Sequence, residues 1–252
     1  MGKMEEISEL ALTAGEILLA NGAEAYRVEE TVATICRAYG CRGECLTVPG
    51  GILLEVKGET GEKYAQMCKA EQKHVDLYRI ELINAFSRRM ARHPLPFEEA
   101  KAQLEEIQRA PNFTLPVRTA AAAMTGGVYA VFFGGSLWDG AAAMLVCAFT
   151  YLVMEWVGRL GFFQFLEYVF GGLIIGGGSL LVQSLLGGVE ANSTITGAIM
   201  ILIPGVVLTN GIKDILYGNF SAGVARFSEA LVIIIAISMG VGVALIVGRG
   251  WL

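Results

Sequence analysis

The sequence predicts a mostly α-helical membrane protein, with an N-terminal cytosolic α+β domain followed by a bundle of about five transmembrane helices. Three observations predict it. Of 252 residues, 54% are hydrophobic and only 17% charged, less charge than a soluble domain of this size carries. The charge is also unevenly placed: residues 1–115 hold 14 Lys/Arg and 18 Asp/Glu, whereas residues 116–252 hold 5 and 6. Finally, uncharged runs recur in the second part, each near the roughly 20 residues a helix needs to cross hydrocarbon. The expected division is a cytosolic domain over 1–115 and a membrane domain over 116–252.

In the first part, Ile7, Leu10, Ala11, Ala14, Ile17 and Leu18 repeat at intervals of three and four, one face of a helix over 4–20. Asn21-Gly22 ends it, as residues that accept a left-handed conformation do. A second helix is expected from Ala23 to Tyr39, with Val28, Val32, Ile35 and Cys36 on its apolar face and Gly40 after it. Residues 45–58 read as two short strands around Pro49-Gly50-Gly51. Lys63–Cys68 is either a third strand or the start of the next helix. A helix over 74–92 carries Val75, Leu77, Ile80, Leu82, Ile83 and Phe86, and a short helix over Phe97–Gln108 follows His93-Pro94-Leu95-Pro96. The N-terminus is acidic and amphipathic and reads as no signal peptide. Glu6 stands where a myristoylation motif requires Ser or Thr.

In the second part, spans are expected near 117–137, 139–158, 165–187, 192–212 and 229–249. Glu155 makes the second the least regular and must lie near an interface or face the protein interior. Arg118, Arg159, Lys213 and Arg226 fall on one side of these spans, whereas the loops around 136–139 and 187–193 carry no Lys or Arg. The positive side is cytosolic, so the N-terminal domain is inside and the C-terminus, with Arg249, is outside the membrane. Trp138, Trp156 and Trp251 sit at span ends. Small residues, among them Gly126-Gly127, Gly171-Gly172 and Gly176–Gly178, let helices approach closely, and the last group could also line a lumen.

The chemistry concentrates between 201 and 229. The uncharged run Ala191–Ile212 contains Pro204-Gly205, then Asn210, with Lys213-Asp214 just past its end. Pro removes a backbone donor and clashes with the preceding turn, so the helix is expected to kink or open there. Freed backbone groups in hydrocarbon require protein or water partners. A broken membrane helix followed by an amide and an acid is a candidate solute or ion site. The pathway candidates are Pro204, Gly205, Asn210, Asp214, Arg226, Glu229 and Asp139. Asp214 is also readable as an interfacial partner of Lys213 or Arg226. Arg226 and Glu229, three apart, could pair on one helix face, and Asp139 could simply cap its helix. Glu24, Arg27, Glu29 and Glu30 open the second helix, where acids favour the dipole, and the turn Gly22-Ala23-Glu24 could instead dock on the membrane domain or a ligand.

Metal and cofactor chemistry is not expected. Cys36, Cys41, Cys45, Cys68 and Cys147 are scattered and read as free thiols. Cys41 and Cys45 with His74 make a poor metal set. The chain lacks G-x-S-x-G, H-E-x-x-H and G-x-x-x-x-G-K-[ST], so no catalytic residues are assigned and no ATP-driven motor is read within it. Its net charge of −5, without a basic stripe, argues against nucleic acid.

Four stretches carry a resemblance. Leu202–Arg226 (LIPGVVLTNGIKDILYGNFSAGVAR), Leu18–Glu30 (LLANGAEAYRVEE), Trp138-Asp139-Gly140 and the closing Arg249-Gly250-Trp251, taken in order, resemble the ThrE-type threonine/serine exporter family. That family includes a two-subunit bacterial branch associated with dicarboxylate (succinate) export. Gly22 and Glu24 match its first cytosolic motif. The resemblance implies a cytosolic domain plus about ten membrane helices, of which this chain holds about five, so it implies a subunit that needs either a small membrane-protein partner or further copies of itself. The expected activity is secondary export of a small polar or carboxylate metabolite across the lipid bilayer, with proton antiport open. A different class of function also stays open: a membrane-anchored regulatory or scaffold protein whose cytosolic domain binds a partner. The helix break with Asn210 and Asp214 separates the two, since an anchor needs no broken helix.

Overall fold

A computed structural model of the chain describes residues 2–70, 75–161 and 163–249. His74 and the closing Gly250-Trp251 lie outside these residues. The chain divides into two compact units, one of Met1–Pro111 with Gly205–Ser228, the other of Asn112–Pro204 with Glu229–Leu252.

The first unit begins with helices α1 (Lys3–Ala20) and α2 (Ala25–Ala38). The apolar positions that predicted them are buried, and α1 also buries Ser8, Leu12, Gly15 and Leu19. Strands β1 (Arg42–Val48), β2 (Gly51–Lys57) and β3 (Lys63–Lys69) form an antiparallel sheet in that order, with Leu46 opposite Leu53 and Leu53 opposite Met67. The third segment is thus a strand, because β2 offers it a full ladder. Ile52, Leu54 and Val56 turn inward to the helices, as period-two alternation requires. Gly50, at φ +85°, supplies the left-handed residue of the hairpin turn. Gly15 lets α1 close on both layers: a Cβ there would lie 2.9 Å from Ile52 Cδ1 and 2.9 Å from Val32 Cγ2.

Helix α3 (Leu77–Arg92) starts at Asp76, whose carboxylate accepts the Tyr78 and Arg79 N–H groups at 3.0 Å each. Ile80, Ile83, Phe86 and Met90 complete the core, while Leu77 is exposed. Helix α4 (Phe97–Gln108) has the predicted bounds.

The second unit contains α5 (Leu115–Phe132), α6 (Leu137–Val157), α7 (Gln164–Leu185) and α8 (Ala191–Ala198), with a 3-10 turn over Ile199–Ile201. The expected first span ends early. Helix α5 stops at Phe132, and Gly134, at φ +98°, turns the chain so that Leu137 and Trp138 begin α6. Glu155 is bridged by Arg118 at 3.1 and 3.2 Å and approached by Arg159 at 3.5 Å. Small residues are contact points: Gly126 and Ala130 of α5 meet Gly197 of α8, and Gly172 of α7 meets Ile237 and Gly240.

The expected fourth helix is interrupted at 202–204 and resumes at Gly205 as α9 (Gly205–Leu216). Pro204 has no N–H to continue the ladder. Helix α10 (Phe220–Arg249) begins in the first unit and ends in the second. Among the described residues, Leu137–Leu160, Gln164–Leu185 and Phe220–Gly248 are long and apolar enough to cross a membrane, and the interrupted pair Ala191–Ile201 and Gly205–Leu216 makes a fourth if counted as one span.

Candidate solute and ion site

The site grows from the turn between α1 and α2. Helix α1 ends in Asn21, whose side chain donates to the Ile17 carbonyl at 2.6 Å. Gly22, at φ +85°, lets the Ala23 N–H reach back to the Leu18 carbonyl at 3.0 Å. Glu24 is extended and leads into α2. Residues 21–25 are all buried, and their leftover backbone groups need partners.

Those partners come from α9 and the start of α10. Asn210 Nδ2 donates to the Gly22 carbonyl at 2.9 Å. Arg226 Nη2 donates to the Ala23 carbonyl at 2.7 Å. The Ala25 N–H, first in α2, donates to Asp214 Oδ1 at 2.8 Å. Arg226 Nη1 donates to Asp214 Oδ2 at 2.8 Å. Asn210 and Asp214, four apart, share one helical face. Asp214 is fully buried, with Asn210 and Arg226 at 7% and 8% exposure.

A second pair lies beside the first. Lys213 Nζ donates to Glu24 Oε1 at 3.0 Å, and Arg27 Nε lies 3.3 Å from Glu24 Oε2. Burial pushes the Glu24 carboxyl up, but its own backbone N–H, Lys213 and Arg27 outweigh this and hold it below its usual value. Tyr26 and Tyr217 stack at 4.3 Å between centroids. Helices α9 and α10 approach closely because both carry glycine at the crossing: a Cβ on Gly223 would lie 2.7 Å from the Gly211 carbonyl oxygen.

The ThrE threonine/serine exporter family profile matches residues 9–248, a stretch that includes both the 21–25 turn and the 202–226 segment. The chain belongs to this family. Over 252 residues it is 25% identical to a threonine/serine exporter of Corynebacterium glutamicum, covering 95% of this chain and 50% of that protein. It thus spans about half the length of that relative. Over 255 residues it is 22% identical to the "Probable succinate transporter subunit YjjP" of Escherichia coli K12, covering 97% of this chain and 96% of that one. No solved structure matches significantly. Family and apolar helices together mark a multi-pass membrane protein of a transporter family.

Within this family member, the fold brings five of the sequence candidates together: Gly22, Glu24, Asn210, Asp214 and Arg226. Gly205 only begins α9, and Pro204 is buried at the helix break. Asp139 lies elsewhere, at the start of α6. Its Oδ2 accepts the Ser136 N–H at 2.7 Å, Ser136 Oγ accepts the Asp139 N–H at 3.1 Å, and Oδ1 accepts the Glu190 N–H at 2.6 Å. This caps α6 and pins the segment before α8. Glu229 is exposed, and Arg226 turns to Asp214 and Ala23. Among the described residues no group of three or more His, Cys, Asp or Glu is placed to hold a metal ion.

Sequence reasoning named the turn that holds Ala23 but missed Ala25, which acts through its backbone N–H, and the Tyr26–Tyr217 stack. The spacing of four between Asn210 and Asp214 is the sequence signal that would have placed them on one face.

Proposed function

We propose that the chain is a subunit of a secondary transporter that exports small polar or carboxylate metabolites, threonine and serine or a succinate-like dicarboxylate. The observation that carries this reading is the buried Asp214–Arg226 pair on helices that follow the break at 202–204. A buried ionisable pair is costly to build, and beside a broken membrane helix it marks a solute or ion pathway. A scaffold that only anchors a domain needs neither.

In this reading the membrane domain has five spans, with α5 as the fifth and the interrupted pair as one. Arg118, Arg159, Lys213 and Arg226 set the N-terminal domain inside the cell. An odd set of spans calls for a small membrane-protein partner or a second copy, and the half-length match to the Corynebacterium exporter supports incompleteness. The names of the two relatives support the two substrate classes. Asp214 is the acid available for proton coupling.

The test is efflux of labelled threonine, serine or succinate from proteoliposomes. It compares this chain alone, this chain with the partner, a proton gradient present or absent, and Asp214→Asn. Efflux that needs both chains and weakens in Asp214→Asn supports the reading. Efflux by this chain alone replaces the partner with a homo-oligomer. A folded, assembled complex that moves none of the three solutes overturns it in favour of the scaffold.

A further inference from the structure

We infer that Arg226 and the N-terminal N–H of α2 form a carboxylate-binding site that the chain's own Asp214 occupies, and that the carboxylate of the exported acid displaces Asp214 from it. The inference deepens the exporter reading and rests on it.

Three observations point to a site as well as a clasp. The groups that face the carboxylate are those that recognise carboxylates in general: a guanidinium, with Nη1 at 2.8 Å from Oδ2, and a helix N-terminal N–H, at 2.8 Å from Oδ1. Both are buried, so they act in a medium where such contacts are strong.

The second observation is that the site is held open without Asp214. Arg226 is anchored through Nη2 on the Ala23 carbonyl. Asn210 holds the Gly22 carbonyl, and Lys213 holds Glu24, the residue before Ala25. The guanidinium and the Ala25 N–H therefore keep their places when the carboxylate between them leaves. A ligand meets a preformed site and is spared the cost of ordering it.

The third is charge. Arg226, Lys213 and Arg27 face Asp214 and Glu24, and Glu30 also acts on Arg27, so the resident charges balance. Lys213 and Arg27 have side chains 50% and 40% exposed, a basic rim beside the buried guanidinium. A second carboxylate entering while Asp214 stays ionised would leave one guanidinium facing two negative charges, so the incoming acid replaces Asp214 and does not join it. Threonine, serine and succinate share this carboxylate, which is why one site serves either substrate class.

The experiment measures equilibrium binding of acetate and radiolabelled succinate to the purified full chain in detergent, with succinamide as the uncharged control. If Asp214 holds the site more than about nine-tenths of the time, removing it tightens apparent binding about tenfold or more. Asp214→Ala should therefore bind both acids at least about tenfold tighter than the native chain, Arg226→Gln should abolish binding in both backgrounds, and succinamide should not bind. Equal affinity in native and Asp214→Ala chains overturns the inference. So does a native chain that binds no acid where Asp214→Ala is saturated, since Asp214 is then a permanent plug. Asp214→Asn, which keeps the shape and loses the charge, gives the same reading if the alanine variant does not fold. In the native chain, saturating succinate should speed hydrogen–deuterium exchange of a peptide over 213–219 while a peptide over 21–27 stays protected, and no change in the first peptide also overturns it. Competition retained without efflux sinks the exporter reading alone, whereas efflux without competition sinks only this site.

Discussion

The Asp214 carboxylate accepts the backbone N–H of Ala25 at 2.8 Å, across 189 positions of sequence. Helix α2 therefore receives its N-terminal acceptor from α9. Asp214 in turn receives its counter-charge from α10, through Arg226 at 2.8 Å. Two consecutive helices and a turn far away in the chain close one buried polar cluster.

Breaking that cluster from either side leaves an uncompensated buried charge. Arg226→Ala is expected to cost about 3–5 kcal/mol. Adding Asp214→Ala should recover part of this, with a coupling energy of about 1–3 kcal/mol. Thermal or denaturant unfolding of the full chain in detergent checks it, and additive single-variant losses would contradict the coupling.

The crossing of α9 and α10 tolerates no side chain. A Cβ on Gly223 would lie 2.6 Å from Ile215 Cγ1 and 2.7 Å from the Gly211 carbonyl oxygen, whereas one on Gly242 meets nothing within 4 Å. Gly223→Ala should destabilise by about 1–3 kcal/mol through overpacking. Gly242→Ala should be neutral or stabilising by up to about 1 kcal/mol, the helix preference of Ala over Gly. The melting temperatures of the two variants should move in opposite directions or differ clearly.

Burial pushes the Cys36 and Cys45 thiols up to about 12. At pH 8 roughly one such thiol in ten thousand is ionised, and the thiolate is the nucleophile. Both should resist maleimide in the native chain and react within minutes once it is unfolded. Their native labelling rates should still be climbing above pH 9, where an ordinary thiol has levelled off. Mass spectrometry of labelled peptides reads both.

Burial also pushes the Asp76 carboxyl up, but the Arg79 and Tyr78 N–H groups and the Arg79 guanidinium more than offset it and hold it below its usual 3.8. A depressed folded pKa gives stability that is present above the unfolded value and lost as pH falls through the folded one. The loss therefore belongs to the acid limb, below about pH 4. Asp76→Ala should cost about 1–2 kcal/mol at neutral pH, as loss of a helix cap does, and should flatten that limb. Unfolding free energy measured from pH 7 downward on both chains checks the sign.

Much of the local structure was legible because it depends on side-chain type at short range. The faces of α1 and α2 follow from apolar residues at intervals of three and four. The bounds of α4 follow from Pro96 before it and good helix formers within it. Lys63–Lys69 was ambiguous between strand and helix, because a short segment carries too few periods to separate the two, and pairing with β2 decided it. The early end of α5 was not legible: the uncharged run continues to Trp138, and hydropathy does not register the turn at Gly134.

Sequence by itself determined the mostly helical membrane character, the break at Pro204, the family and the residues worth testing, because composition, period and a missing N–H act locally. Only the tertiary structure decided that Asp214 pairs with Arg226 and caps α2, that Lys213 serves Glu24, and that Asp139 is a cap on α6. The partners of Asp214 include a backbone N–H, which every residue except proline carries and which no sequence pattern marks. Which of these N–H groups a carboxylate reaches is settled when helices pack, and here glycine at 211 and 223 lets α9 and α10 come close enough to deliver it.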